Sequence, residues 1–190
     1  WSMAQRKIDY HMELIARLRE GDPGAQFEAY ELYKVAMYNT ALRIVQHAAE
    51  AEDVLQEAFL AAFTKISGFT GDSTFGAWLK SIVVNKSINA LQKEKASLSF
   101  KEQAAQEAAN AAKADMYEGE EPIVWNVEQI KRAVDQLPDG YRVVFTLYLF
   151  EGYDHREIAD ILGISEGGSK SQFNRAKSKL KEILTAMSYV

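Results

Sequence analysis

The residues that first suggest chemistry lie in the stretch Gly163-Ile-Ser-Glu-Gly-Gly-Ser-Lys-Ser171, which nearly spells a phosphate-binding P-loop. A P-loop requires a lysine directly after its second glycine and a β-strand directly before the loop. Here Ser169 follows Gly168, Lys170 comes one place late, and the preceding residues EIADIL have helical spacing. The stretch therefore does not predict a nucleotide site, although its serines and lysine still suit a phosphate partner.

The same stretch fits the turn of a helix-turn-helix, in which the second helix enters the major groove of DNA. Ser165 is a good N-cap for that helix. Projection at about 100° per residue places an apolar stripe opposite a polar one. The apolar stripe holds Phe173, Ala176, Leu180 and Leu184, the polar stripe holds Gly167, Ser171, Asn174 and Ser178, and the flanks carry Lys170, Lys177 and Lys181 on one side and Arg175 and Lys179 on the other. Small polar groups between cations suit a DNA groove; the alternative is an amphipathic helix with solvated lysines.

Two glycines in the first turn of this helix need a reason, because glycine costs about 1 kcal/mol relative to alanine in a helix interior. One hypothesis is that the missing side chains of Gly167 and Gly168 let the helix N-terminus approach a DNA phosphate closely. The alternative is a frayed helix that starts later and orders only on DNA.

The composition excludes several classes of function. The chain contains no cysteine and three separated histidines, so we expect no disulfide, no thiol nucleophile, no metal site and no cofactor. No apolar run is long enough to cross a bilayer and the start lacks the blocks of a signal peptide, which predicts a cytoplasmic protein without membrane insertion. The net charge is −5, but the C-terminal segment is basic, because residues 165–190 carry five basic and two acidic groups.

The apolar spacing predicts an all-α fold: two small helical domains joined by a flexible linker, with the helix-turn-helix in the C-terminal domain. The predicted helices cover residues 8–20, 25 onward, 50–66, 74–95, 124–136, 141–151, 154–162 and 165–184. Residues 98–122 are rich in alanine and acid with little apolar surface to bury, so they form the predicted linker between domains 8–97 and 123–187.

Two segments of the chain resemble bacterial sigma factors. LPDGYRVVFTLYLFEGYDHREIADILGISEGGSKSQFNRAKSKLKEIL, residues 137–184, resembles their fourth conserved region, and AEAEDVLQEAFLAAFTKISGFTGDSTFGAWLKSIVVNKSIN, residues 49–89, resembles the second. Two such domains on a short linker are typical of the extracytoplasmic-function group of the sigma-70 family. The resemblance implies a non-enzymatic subunit, monomeric when free, that binds core RNA polymerase and promoter DNA and is controlled by an anti-sigma factor.

The resemblance also assigns roles to residues. Core-polymerase binding falls on Asp53, Gln56 and Glu57, which share one helix face by their spacing; without the resemblance this would be a solvated face. Recognition and opening of the downstream (−10) element falls on Phe69, Gly71, Asp72, Phe75, Trp78, Asn85 and Lys86. Reading of the upstream (−35) element falls on Ser165, Gly167, Gly168, Lys170, Ser171, Asn174, Arg175 and Lys177. The three aromatic rings suit stacking of unstacked bases, although we expect Trp78 to be mainly buried and the loop 68–74 to hold a flipped base.

The sequence departs from the family at several of these places. Thr70 and Gly76 stand where the family usually has arginine, and Gly168, Ser169 and Gln172 replace residues that are frequent in the upstream-reading helix. Fewer cations weaken the sequence-independent part of DNA affinity, so we expect DNA binding within the polymerase complex rather than by the isolated chain. The missing arginines also favour a second hypothesis, a sigma-like decoy that sequesters an anti-sigma factor, which the basic helix opposes.

The acidic run at residues 115–121 has two explanations. In such factors the linker passes through polymerase channels that later carry RNA, so the acids could mimic the charge of RNA. Plain solvation explains the same residues, and the sequence leaves both open.

Overall fold

The computed structural model describes residues 3–94 and 125–188, and the chain divides into two compact units after residue 94. Both described parts contain helices and turns only, which confirms the predicted all-α fold. The predicted linker 98–122 and its acidic run at 115–121 lie outside the described residues. No helix in the described ranges combines the length and apolarity needed to span a membrane.

The first unit contains four α-helices and one short 3₁₀ turn. They are α1 (Met3–Arg19), α2 (Pro23–Val45), α3 (Ala48–Thr64), the 3₁₀ turn (Ile66–Gly68) and α4 (Phe75–Glu94). Helix α2 begins where it does because Asp22 caps it, accepting from the backbone N–H of Gly24 at 2.8 Å, and because proline is well suited to the first helical position. Arg17 of α1 pairs with the Asp22 carboxylate at 2.8 Å, which ties α1 to the start of α2.

Helices α2, α3 and α4 pack against one another and form the core of the first unit. The apolar stripe of α3 is buried: Leu55, Phe59 and Ala62 are at most 6% exposed. Leu79, Val83 and Leu91 supply the facing side of α4 and are at most 1% exposed. Because the apolar side of α3 is used in this way, its opposite side is left on the surface.

The second unit contains α5 (Val127–Asp135), α6 (Asp139–Leu149), α7 (His155–Leu162) and α8 (Glu166–Ser188). Capping boxes at Asn126 and Asp154 fix the starts of α5 and α7. Gly163, with a φ of 66°, ends α7 in the left-handed conformation that glycine adopts without strain. Val134, Leu137, Phe145 and Ala176 form the core, with Phe173 and Leu180 packed against it.

The observed helices follow the predicted ones with shifted ends. Helix α5 begins at Val127 rather than 124, because the Asn126 side chain accepts from the backbone of Gln129 and defines the first turn. Helix α8 continues to Ser188 rather than ending at 184, and α1 begins at Met3 rather than 8.

Candidate nucleic-acid interface

The start of α8 is built as the sequence predicted. Ser165 Oγ accepts from the backbone N–H of Gly168 at 2.9 Å, which confirms Ser165 as the N-cap. Both glycines lie inside the first helical turn. A Cβ added at Gly167 would meet only Ser165 Oγ, at 4.0 Å, so nothing in the described structure requires glycine there. The close approach of a phosphate to this turn remains a hypothesis.

The outer side of α8 carries the predicted polar and basic side chains. Gly167, Lys170, Asn174 and Lys177 are exposed, while Ser171 and Arg175 are half-buried. Lys170 Nζ pairs with a Glu166 carboxylate oxygen at 2.6 Å. This pair lowers the pKa of Glu166. The sequence analysis did not place Glu166 in the interface, although an acidic residue one helical turn before Lys170 indicates such an ion pair.

The inner side of α8 holds two polar residues that the sequence did not lead us to expect there. Ser169 is fully buried and Gln172 is 1% exposed. Neither Gln172 Nε2 nor Oε1 has a hydrogen-bond partner among the described residues. A buried amide without partners costs free energy, so we expect Gln172 to lower the stability of the second unit.

The aromatic rings near the loop 68–74 are arranged differently from the expectation. Phe69 and Phe75 are 5% and 3% exposed, and with Trp78 they form a cluster whose ring centroids lie 5.3 to 6.0 Å apart. The expectation that Phe69 and Phe75 offer their faces to bases is therefore wrong in this structure, because those faces pack in the core. Trp78, expected to be mainly buried, is half-buried and is the more accessible ring.

The loop between the 3₁₀ turn and α4 is held from several directions. Gly71 adopts a φ of 86° and is exposed, a conformation that other residues rarely take. Thr70 Oγ1 donates to the exposed Asp72 carboxylate at 2.6 Å. Arg19 Nη2 donates to the Phe69 carbonyl at 2.7 Å, so the end of α1 fixes the start of the loop. Sequence reasoning missed Arg19, because no local pattern connects residues 50 places apart.

The outer face of α3 exposes Asp53, Gln56 and Glu57 together, as their spacing predicted. Leu60, one turn further along, is 68% exposed and adds an apolar group that the prediction did not include. Beside this face lies an open cleft of about 450 Å³, lined by Tyr30, Lys34, Val35, Tyr38, Glu52, Leu55 and Gln56. The surface thus combines charge, amide and apolar area.

One predicted residue of α4, Lys86, contacts this face. Lys86 Nζ pairs with Glu57 Oε2 of α3 at 3.0 Å. Asn85 is exposed, and its Nδ2 donates to the Ser81 carbonyl at 2.8 Å. The predicted polymerase-binding and downstream-element residues therefore meet at one ion pair.

Comparison with known proteins identifies the family. Residues 29–97 match the family Sigma-70 region 2, and residues 127–180 match Sigma-70, region 4. The ECF RNA polymerase sigma factor SigW of Bacillus subtilis is 30% identical over 176 residues, which cover 90% of this chain and 94% of SigW. The chain belongs to the extracytoplasmic-function group of the sigma-70 family. It is a sigma factor for promoter-specific transcription initiation.

Two solved structures are similar to this one. CnrH, solved in complex with the cytosolic domain of CnrY, has a TM-score of 0.55 and 25% identity, covering 93% of this chain and 97% of CnrH. RpoE of Bartonella quintana, solved with the anti-sigma factor NepR, has a TM-score of 0.54 and 22% identity, covering 83% and 95% of the two chains. The likeness to RpoE supports the fold.

The structure explains one departure of this sigma factor from its family. A Cβ added at Gly76 would lie 3.0 Å from Cε1 of Tyr33 on α2, closer than side chains normally approach. The Tyr33 ring packs against Phe75, 5.5 Å between centroids, and burial raises the pKa of its hydroxyl. A side chain at position 76, arginine included, would require the Tyr33 ring to shift by a few tenths of an ångström.

Proposed function

We propose that this sigma factor binds core RNA polymerase through the outer face of α3, opens the downstream element with the loop 68–74 and α4, and reads the upstream element with α8. The observation that carries the proposal is the exposure of these predicted polar groups on their own surfaces. Asp53 and Gln56 are exposed in the region 2 match, and Lys170 and Asn174 in the region 4 match.

The α3 face suits docking on a protein. Protein interfaces combine a desolvated apolar centre with polar groups around it. Leu60 and the neighbouring cleft provide the apolar area, and Asp53 and Gln56 provide acceptors for donors of the polymerase. Because the Asp53 and Gln56 side chains are exposed on a rigid helix, they need no rearrangement to engage a partner.

The α8 surface suits reading of duplex DNA. Asparagine can bind adenine through two hydrogen bonds in the major groove, and lysine can bind the acceptors of guanine. Asn174 and Lys170 are exposed one turn apart and can take these roles, while Arg175 and Lys177 on the flanks meet phosphates. The N-cap at Ser165 places free backbone amides at the same end of the helix.

The downstream surface is poorer in cations. Thr70 is hydrogen-bonded to Asp72, and Lys86 forms an ion pair with Glu57. Two side chains on the surface proposed to meet the downstream element therefore already have partners within the protein. Trp78 and the loop around Gly71 provide a surface that can fit the DNA, while most of the contacts between cations and the DNA phosphates would come from the polymerase. We therefore assign promoter opening to the complex with polymerase rather than to the free chain.

The partners in this proposal are core polymerase, promoter DNA and an anti-sigma factor, and the place of action is the cytoplasm. The polymerase makes the bonds, so the sigma factor itself performs no catalysis. The complex of RpoE with NepR gives the precedent for an anti-sigma partner on this fold. The free chain is expected to be monomeric.

Transcription in vitro with core polymerase and a library of promoter fragments tests the proposal. We expect a defined set of promoters to be enriched among the transcripts, with core polymerase alone as the control. A chain that selects no promoter yet binds an anti-sigma factor tightly would be a decoy, and the proposal would be wrong.

A further inference from the structure

His155 links the two helices of the helix-turn-helix. It is the first residue of α7, and its Nδ1 lies 2.9 Å from Oγ of Ser169 in the first turn of α8. Ser169 is fully buried, so its hydroxyl needs a partner within the protein. The histidine supplies that partner across the turn that contains Gly163.

The imidazole ring is also packed by two aromatic side chains. It stacks on Tyr148 of α6, with centroids 4.6 Å apart and planes inclined by 14°. The ring of Phe173 on α8 meets it edge-on at 5.6 Å and also contacts Tyr148 at 4.6 Å. Three helices therefore converge on the ring of His155, and its rotation within the unit is fixed.

We propose that His155 is a positioning residue for upstream-element recognition: its hydrogen bond to Ser169 sets the rotation of α8, and so the direction of Lys170 and Asn174, relative to α7. The inference rests on the proposed function of α8. A rotation of α8 by one residue would turn these groups by about 100° and remove them from the groove. At the N-terminal end of α8 the buried residues Ser169 and Gln172 interrupt the apolar stripe, so the hydrogen bond adds there to the constraint that the packing of Phe173 on Phe145 and Tyr148 provides.

The charged groups around the ring make this contact sensitive to pH. Lys170 and Lys177 approach from α8, with Glu166 on the same helix and Asp154 at the cap of α7, while α6 contributes the neutral Tyr148. Burial first, and then Lys170, hold the pKa of His155 below its ordinary value of 6.5. The ring is therefore neutral at neutral pH.

The sign of the pH effect follows from this lowered pKa. The unfolded chain takes up a proton at this histidine at higher pH than the folded one, so stability is full above 6.5 and falls as the pH drops toward the folded pKa. A proton also places a new positive charge beside Lys170 and Lys177. The protonated Nδ1 can still donate to Ser169 Oγ, so the positioning of α8 weakens only through the loss of folded-state stability. Non-specific DNA binding should rise with the added charge, so promoter selectivity falls on acidification.

The test compares full-length variants bound to core polymerase, on a promoter fragment chosen from the library and on the same fragment with its upstream element scrambled. His155→Phe keeps the stacking and removes the bond, and we expect it to lower the selectivity ratio about tenfold. His155→Asn keeps a hydrogen-bonding atom near the position of Nδ1 and should retain the ratio at pH 7.5. In the unsubstituted chain we expect selectivity to fall between pH 7.5 and 5.5, whereas the selectivity of His155→Asn should stay constant over this range.

Two outcomes would overturn the inference: a His155→Phe variant that folds and selects like the unsubstituted chain, or a His155→Asn variant whose selectivity falls with pH as steeply as before. If His155→Phe does not fold, the pH comparison with His155→Asn decides. Failure of the proposed function is distinguishable, because the unsubstituted chain would then show no selectivity at pH 7.5 either.

Discussion

Lys86 Nζ on α4 lies 3.0 Å from Glu57 Oε2 on α3, so a cation predicted to meet promoter DNA is paired with an acid predicted to meet polymerase. Glu57 is the more open partner, with 68% of its side chain exposed against 29% for Lys86. A polymerase group that engages Glu57 would therefore release Lys86 toward DNA. The pair would contribute to the weak DNA binding that we expect of the free chain.

Replacing Glu57 with glutamine should strengthen single-stranded DNA binding by the free protein. The gain should be small, about twofold to fivefold, because an exposed ion pair contributes little free energy. Fluorescence anisotropy with a labelled single-stranded oligonucleotide at low salt measures it, and high salt should abolish it. Glu13→Gln, an equal charge change at an exposed place on α1, is the control. An equal gain in both variants would show that only net charge matters.

The two proposed surfaces should separate in a pair of double variants. Asp53→Ala with Gln56→Ala should weaken binding to core polymerase about tenfold or more, the effect of removing central interface groups. Lys170→Ala with Arg175→Ala should leave that binding unchanged and abolish activation at promoters that depend on the upstream element. Sedimentation with core polymerase and transcription in vitro measure the two effects. Loss of polymerase binding in the α8 variant would mean that α8 is misassigned.

Replacing Gln172 with leucine should stabilise the second unit. The substitution removes a buried amide that has no partner among the described residues and keeps the volume of the side chain, so the free energy of unfolding should rise by about 1 to 3 kcal/mol. Urea denaturation followed by circular dichroism measures the change. Asn174→Leu, at an exposed place on the same helix, should bring no such gain. A destabilised Gln172→Leu chain would indicate that the amide is satisfied by water.

Replacing Gly167 with alanine separates stability from recognition. The position has room for a methyl group and lies in a helix, so the free protein should gain up to about 1 kcal/mol. Promoter binding with polymerase should nevertheless weaken if this turn approaches a phosphate closely. Thermal unfolding and promoter affinity are measured on the same sample. Unchanged promoter affinity would refute the close approach and leave the glycine without a role there.

The features that the sequence predicted are those that local patterns determine. The Ser165 cap and the buried positions Ala176 and Leu184 follow from residue type and helical spacing, and the structure has both. The exposed trio on α3 follows in the same way. These predictions needed no knowledge of what packs against each helix.

The features that the sequence did not predict depend on contacts between distant residues. Phe69 and Phe75 are buried because they pack on each other and on Trp78. Aromatic residues at helical spacing more often belong to the core, but their type alone does not exclude base stacking. The pairing of His155 with Ser169 requires the turn between α7 and α8 to bring two helices together. Helical spacing did not include Gln172 in the apolar stripe of α8, and only the packed structure shows it buried.

The close fit of Gly76 against Tyr33 makes the order of mutations matter. Arginine at position 76, common in the family, would press on the ring while position 33 is tyrosine, so that single step requires the ring to move. A smaller residue at 33 would remove this requirement, at the loss of the contact between Tyr33 and Phe75. The effect of a substitution at position 76 should therefore depend on the residue at position 33.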